Sequence, residues 1–225
     1  MPPIVPHGFA LLQSPSFRAP HFGSQLRRIL TLGVILGATF MSSANENPTT
    51  APAPSIAMIG DSITRQGDWT RLLGREDVIN WGHPGYTTGQ LAWTFKDLIR
   101  QHPNIKIVFL SGGTNDLLLG VPVARIFENQ VAAIRYWRER GVTPVLQSLL
   151  PQVDAPETNA LIKSLNAQLR AHCTAENVRF LDLTPLFAVG DALRPELSAD
   201  GTHLKPPAYA PWAEQVSQEL KALGH

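Results

Sequence analysis

Residues Ile56-Ala-Met-Ile-Gly-Asp-Ser62-Ile-Thr64 decide how the rest of the chain is read. Four apolar residues run into Gly-Asp-Ser, the pattern of a buried parallel strand that breaks out of its sheet into a turn. The Ser62 hydroxyl then stands at the carboxyl end of a strand, where open α/β sheets place their ligands. A serine hydroxyl alone is a poor nucleophile, so a catalytic role needs a base, a group that orients the base, and donors for an oxyanion. The competing reading is structural, because serine at a strand-to-helix turn commonly caps the helix.

Outward from this stretch the chain alternates between two kinds of segment. Apolar or β-rich runs at 56–59, 78–81, 105–110, 145–149 and 178–183 are each followed by helical periodicity or by loop. Leu91, Phe95, Leu98 and Ile99 mark one helix, and Val123, Ile126, Phe127, Ile134 and Trp137 mark another that Gly141 ends. Leu161, Leu165, Leu169 and Cys173 recur every four residues as the buried stripe of a third, so the lone cysteine reads as core. A last helix is expected after Pro206-Pro207. Strands alternating with helices predict an α/β fold with three layers: a doubly wound, parallel, five-stranded sheet in the flavodoxin-like order 2-1-3-4-5.

Length and charge bound the possibilities. The chain has 225 residues, 44% of them apolar, enough for one good core. Residues 1–44 read as an N-terminal export signal region: Arg27-Arg28 precede an apolar segment from Ile29 to Met41, and Ser42-Ser43-Ala44 supply small residues for cleavage. Leu26-Arg-Arg-Ile-Leu matches the twin-arginine export pattern only weakly. Residues 45–54, rich in Pro, Thr and Ala, are an extended, flexible linker, and 55–225 form the folded unit. The expected destination is periplasmic or secreted. With a single cysteine the chain has no internal disulfide, and no cysteine follows the apolar segment to take a lipid, so no stable membrane anchor is expected after cleavage. Beyond residue 44 there are 16 basic and 18 acidic side chains without basic clusters, which leaves no electrostatic footprint for nucleic acid.

Polar motifs fall just after the strands. Asn80-Trp-Gly-His-Pro-Gly85-Tyr-Thr-Thr88 follows the second, Ser111-Gly-Gly-Thr-Asn115-Asp116 the third, and Asp200-Gly-Thr-His203 comes after the fifth and a long loop. These motifs and Gly-Asp-Ser62 resemble, in order and across nearly the whole chain beyond residue 55, the four blocks of the SGNH, or GDSL, hydrolase superfamily. The resemblance implies Ser62 as nucleophile, Gly85 as a backbone oxyanion donor, Asn115 as a side-chain oxyanion donor, and Asp200 and His203 as the other members of the triad. The Gly-x-Ser-x-Gly elbow of α/β-hydrolases is absent.

Chemistry gives each residue type a reason. Imidazole titrates near neutrality, which suits His203 to take the Ser62 proton and return it to a leaving alcohol. Asp200, three residues earlier, can hold the imidazole in its working tautomer. The amides of Ser62 and Gly85 and the side chain of Asn115 can serve one tetrahedral oxygen, and glycine at 85 leaves room for the acyl group. Asn115 and Asp116 also suit ordinary turn formation, and Asp61 reads as structural. His83 and Tyr86, with Trp81, are candidates for a substrate pocket or for packing. No His, Asp or Glu set has a diagnostic metal-ligand spacing, so neither metal nor cofactor is expected.

The expected activity is hydrolysis of short-chain or O-acetyl esters by a serine esterase acting as a monomer on a small-molecule ester, with acylated carbohydrate and lipid both open. An acyl thioesterase, lysophospholipase or acyltransferase of the same fold is the nearest alternative. An exported, non-catalytic ligand-binding domain is another, and it predicts a replaced serine or histidine.

Overall fold

The computed structural model describes residues 52–225, so the expected signal at 1–44 and the linker up to residue 51 lie outside the described residues. Strand β1 (Ile56–Gly60) leads into two short helices, α1 (Ser62–Arg65) and α2 (Trp69–Leu73), and then β2 (Val78–Gly82). Helix α3 (Thr88–Gln101), β3 (Ile107–Leu110), α4 (Thr114–Leu118) and α5 (Val123–Arg138) follow. The second half holds β4 (Thr143–Gln147), α6 (Pro156–Ala175), β5 (Arg179–Leu181), α7 (Thr184–Phe187), a hairpin of β6 (Ala188–Val189) and β7 (Ala192–Leu193), and α8 (Tyr209–Ala222).

The main sheet has the order β2-β1-β3-β4-β5 and is parallel throughout, as the alternation predicts. Strand residues face the two helical layers alternately, as a period of two demands. Ile56, Met58, Ile107, Phe109 and Val145 pack with Ile63, Trp69 and the α8 residues Tyr209, Trp212 and Val216 on one side. Ala57, Ile59, Val108, Leu110 and Leu146 pack with α3, α5 and α6 on the other. The register sets Ile59 level with Trp81 and Leu110, so the chain leaves β1, β2 and β3 at one height. That shared height brings the three post-strand motifs to one edge.

Several boundaries differ from the periodicity. The third strand starts at Ile107 because Ile105 closes a turn, its N–H donating to the His102 carbonyl at 3.3 Å. The fourth runs over Thr143–Gln147 rather than to Leu149, since the Asn166 amide captures both the N–H (2.8 Å) and the carbonyl (2.9 Å) of Leu149. The fifth stops at Leu181, and the Leu183 N–H turns to the Ser148 hydroxyl at 2.9 Å. On α6 the buried stripe is Ile162, Leu165, Leu169 and Cys173, and Leu161 is exposed. A strict four-residue step drifts around a helix of 3.6 residues per turn, so one end of the expected stripe leaves the core. Burial pushes the Cys173 thiol up to about 11. Pro206 and Pro207 form a short 3₁₀ turn, and α8 begins at Tyr209. The expected loop ahead of Asp200 holds α7, the β6/β7 hairpin and a 3₁₀ turn at Pro195–Leu197.

Candidate active site

Ser62 is the first residue of α1, and the cap of that helix is its neighbour. Asp61 is extended and its Oδ1 accepts the Ile63 N–H at 2.9 Å, so the capping role open to Ser62 in the sequence belongs to Asp61. Asp61 is buried, and burial pushes its carboxyl above the ordinary value, the Ile63 N–H only partly opposing this. As first helical residue, Ser62 has an N–H with no acceptor inside the helix.

A helix of one turn has little stability of its own, and α1 is held through its carbonyls. Tyr209 donates its phenol to the Ile63 carbonyl at 2.7 Å, and Trp69 donates its indole N–H to the Thr64 carbonyl at 2.8 Å. Burial pushes the Tyr209 phenol upward, which keeps it a donor. The Asn80 amide donates to the carbonyls of Arg65 (3.0 Å) and Gly67 (2.8 Å), while its oxygen accepts the Gly82 N–H at 3.0 Å. Sequence reading passed over these three supports: Tyr209 and Asn80 serve carbonyls 13 or more positions away, and Trp69, five positions from Thr64, reads equally well as a core residue.

His203 reaches Ser62 from the far end of the chain. Its Nε2 lies 2.8 Å from the Ser62 Oγ and its Nδ1 2.7 Å from Asp200 Oδ2. Asp200 Oδ1 accepts the backbone N–H groups of His203 (2.8 Å) and Thr202 (3.0 Å), which closes the tight turn that the short spacing predicts. These contacts, the His203 N–H first, hold the Asp200 carboxyl down at about 2. The ionised carboxylate can only accept, so Nδ1 carries the proton and Nε2 offers its lone pair to the Ser62 hydroxyl. The Val153 N–H donates to the Gly201 carbonyl at 2.8 Å and ties this turn to the segment after β4. The His203 side chain is 29% exposed and Asp200 more so, so this end of the site is open to solvent.

The other motifs stand on either side of β1. Residues His83 to Tyr86 form a turn closed by the Tyr86 N–H on the His83 carbonyl at 3.2 Å. Gly85 has φ +79°, a region that favours glycine, and a Cβ there would meet open space. Backbone conformation, rather than crowding within the protein, therefore requires this glycine. Asn115 lies in the first turn of α4 and donates its Nδ2 to the Tyr86 carbonyl at 3.0 Å, leaving its second amide hydrogen for another acceptor. Asp116 is no exposed turn former. It is buried and accepts the Thr88 N–H (2.8 Å) and hydroxyl (2.6 Å), which clamps the start of α3 to α4.

Of the pocket candidates, His83 packs. Its ring stacks on Tyr86 with centroids 5.0 Å apart and meets Trp81 edge-on at 5.5 Å. The His83 Nε2 is buried with no hydrogen-bond partner among the described residues, and burial with the Arg65 charge holds this imidazole below its ordinary value. Tyr86 keeps an exposed edge. Among the described residues no group of three or more His, Cys, Asp or Glu is placed to hold a metal ion, and no helix is long and apolar enough to cross a membrane.

A doubly wound sheet of this order, with serine, imidazole and carboxylate linked at its carboxyl edge, defines the SGNH class of flavodoxin-like hydrolases. Solved structures of similar fold include a GDSL-like lipase from Bacteroides thetaiotaomicron, 22% identical, with 75% of this chain and 88% of that one covered and a TM-score of 0.65. An acetyl xylan esterase is 19% identical over 73% of this chain and 98% of its own, with a TM-score of 0.62. The aryl esterase of M. smegmatis is 16% identical over 76% of this chain and 100% of its own, also with a TM-score of 0.62. At these identities the likeness is one of fold. No curated protein matches the chain. The GDSL-like lipase/acylhydrolase family model matches residues 58–210, and the chain belongs to that family of ester-bond hydrolases.

Proposed function

We propose that the protein is a serine esterase that works through an acyl-enzyme on Ser62. The observation that carries this reading is the unbroken chain of contacts from Ser62 Oγ through the His203 ring to Asp200. The Ser62 oxygen bonds to the carbonyl carbon of the ester as its proton passes to His203 Nε2. The carbonyl oxygen becomes an oxyanion, and the N–H groups of Ser62 and Gly85 and the free amide hydrogen of Asn115 are its donors. Collapse breaks the bond to the alcohol, which leaves with the proton from Nε2. Water, deprotonated by the same nitrogen, then attacks the acyl carbon, and Ser62 recovers its proton as the acid departs. Asp200 stabilises the imidazolium in both halves.

The open surface around His203 and Asp200 lets acetyl and other short acyl esters reach Ser62 without movement of a lid. Such esters, including O-acetyl groups on carbohydrate, are the minimal substrate, and the chain works as a monomer. The test is p-nitrophenyl acetate hydrolysis by wild type and Ser62→Ala, with intact-mass analysis after a serine-directed organophosphate. One adduct on wild type, none on the variant, and loss of turnover in the variant support the reading. Undiminished hydrolysis by Ser62→Ala sinks it.

Residues 1–44 act as an export signal ahead of a linker at 45–54, a reading supported by Arg27-Arg28, the apolar segment and the small residues before Asn45. N-terminal sequencing of the exported protein should begin at Asn45. Retention of Met1 in a cytoplasmic product overturns it.

A further inference from the structure

The proposed reaction draws its oxyanion donors from two loops: Gly85 follows β2 and Asn115 follows β3, and β1 lies between those strands. Donors stabilise a developing charge best when their positions are fixed before the charge appears. The second loop has little stiffness of its own. Gly112 and Gly113 lead into α4, and Gly113 has φ +127°, a conformation that suits glycine and leaves Asn115 at the end of a pliable link.

Helix α5 reaches both loops with two neighbouring side chains. Gln130 is buried and donates its Nε2 to the Gly112 carbonyl at 2.7 Å. Asn129 donates its Nδ2 at 2.9 Å to the Thr88 hydroxyl, which itself donates to Asp116 Oδ1 at 2.6 Å. Thr88 opens α3 just after the turn that carries Gly85, and Asp116 directly follows Asn115. Consecutive helical residues point about 100° apart, which lets one dipeptide serve two loops. Those loops also meet, because a Cβ at Gly112 would fall 2.9 Å from Leu91 Cδ1 and 3.7 Å from Thr88 Cγ2. The helix beneath is a firm base, with Ile126, Ala133, Ile134 and Trp137 buried. Among such neighbours an apolar residue would suit position 130, and burying an amide there is costly unless its bond is made.

Resting on the acyl-enzyme reading, we infer that Asn129 and Gln130 are positioning residues that hold the Gly85 and Asn115 donors at one separation, so that α5 sets the geometry of the oxyanion hole. Gln130 acts through the link from Gly112 to Asn115, and Asn129 acts through Thr88. Neither needs to touch the substrate.

The test measures kcat and KM for p-nitrophenyl acetate, per site titrated to completion with a serine-directed organophosphate, together with the unfolding temperature. The proteins are wild type, Ser62→Ala, Gln130→Met, Asn129→Leu, Asn115→Ala and the double variant Gln130→Met/Asn115→Ala. Gln130→Met and Asn129→Leu should each lower kcat about tenfold with KM nearly unchanged, because a misplaced donor is felt in the transition state. The loss from Gln130→Met should largely vanish when Asn115 is already alanine, since the donor it places is gone. A wild-type kcat per titrated site, with only the unfolding temperature lowered, makes the pair a structural bond and overturns the inference. An equal loss in both Asn115 backgrounds, or a raised KM at constant kcat, overturns it too. Should Gln130→Met not fold, Asn129→Leu at its half-buried position decides by the same kcat criterion. Turnover that survives Ser62→Ala overturns the acyl-enzyme reading and the inference with it, whereas the other failures leave the esterase standing.

Discussion

The Oγ of Ser62 and the Nε2 of His203 lie 2.8 Å apart although 141 positions separate them in the chain. The first hangs from a one-turn helix after the second-position strand of the sheet, and the second from a turn closed by a carboxylate. Neither is held by its own segment alone. The proposed chemistry depends on both supports, and each can be removed separately.

Asp200→Asn should lower kcat about ten-thousand-fold, the scale seen when the same change is made in another serine hydrolase. The reason is geometric. The N–H groups of Thr202 and His203 require an acceptor, so the amide oxygen takes the Oδ1 position and the NH₂ group faces Nδ1. Nδ1 must then accept, the proton moves to Nε2, and the base is lost. Steady-state kinetics with an unchanged circular dichroism spectrum is the check. The wild-type carboxyl is depressed from 3.8 to about 2, so its contribution to the turn is present above pH 4 and lost as pH falls toward 2.

Asn115→Ala should reduce kcat about 100- to 1,000-fold with little change in KM, because the amide would meet its charge only in the transition state. Equal loss in KM and none in kcat would place Asn115 in ground-state binding instead.

Asp116→Ala should destabilise the fold by about 2–3 kcal/mol, since it strands the buried N–H and hydroxyl of Thr88. Thr88 starts α3 directly after the turn that carries Gly85, so kcat should fall as well in the protein that remains folded. Urea unfolding measures the first effect and active-site titration before kinetics isolates the second.

His83→Phe should blunt the acid sensitivity of the fold. The native imidazole is held below its ordinary value by burial and by Arg65, so the unfolded chain takes up the proton first as pH falls below about 6.5. Stability of wild type therefore drops between neutrality and acid, and levels off once the folded imidazole also titrates. The phenyl ring keeps the stack on Tyr86 and removes the proton. Thermal unfolding at pH 7.5 and pH 5 should show a smaller difference in the variant, and an equal difference would count against the assignment.

The local patterns were enough for the layers of the fold. Period-two and period-3.6 apolar runs set the alternation of strands and helices, and parallel crossovers leave few orders for five strands. Where the reading slipped, a distant side chain had replaced a ladder partner: the Asn166 amide ends β4 early, and the Ser148 hydroxyl draws Leu183 out of β5. Leu161 slipped for a simpler reason, the mismatch between a four-residue step and a helical turn.

By itself the sequence determined which residue types stand at the strand ends, because Gly-Asp-Ser62, Gly85, Asn115 and Asp200-to-His203 are each local patterns. It also set the turn from Asp200 to His203, since a carboxylate can accept the N–H groups of the next few residues without outside help. Only the tertiary structure decided that Asp61 rather than Ser62 caps α1, that Asp116 is buried on Thr88, and that Tyr209, Trp69 and Asn80 hold the carbonyls beneath the serine. Tyr209, Asn80 and Asp116 reach groups at least 13 positions away, whereas the near pairings, Asp61 with Ile63 and Trp69 with Thr64, had local rivals that only packing removed. A donor's identity says that it must find an acceptor when buried, but only packing determines which acceptor comes within 3 Å.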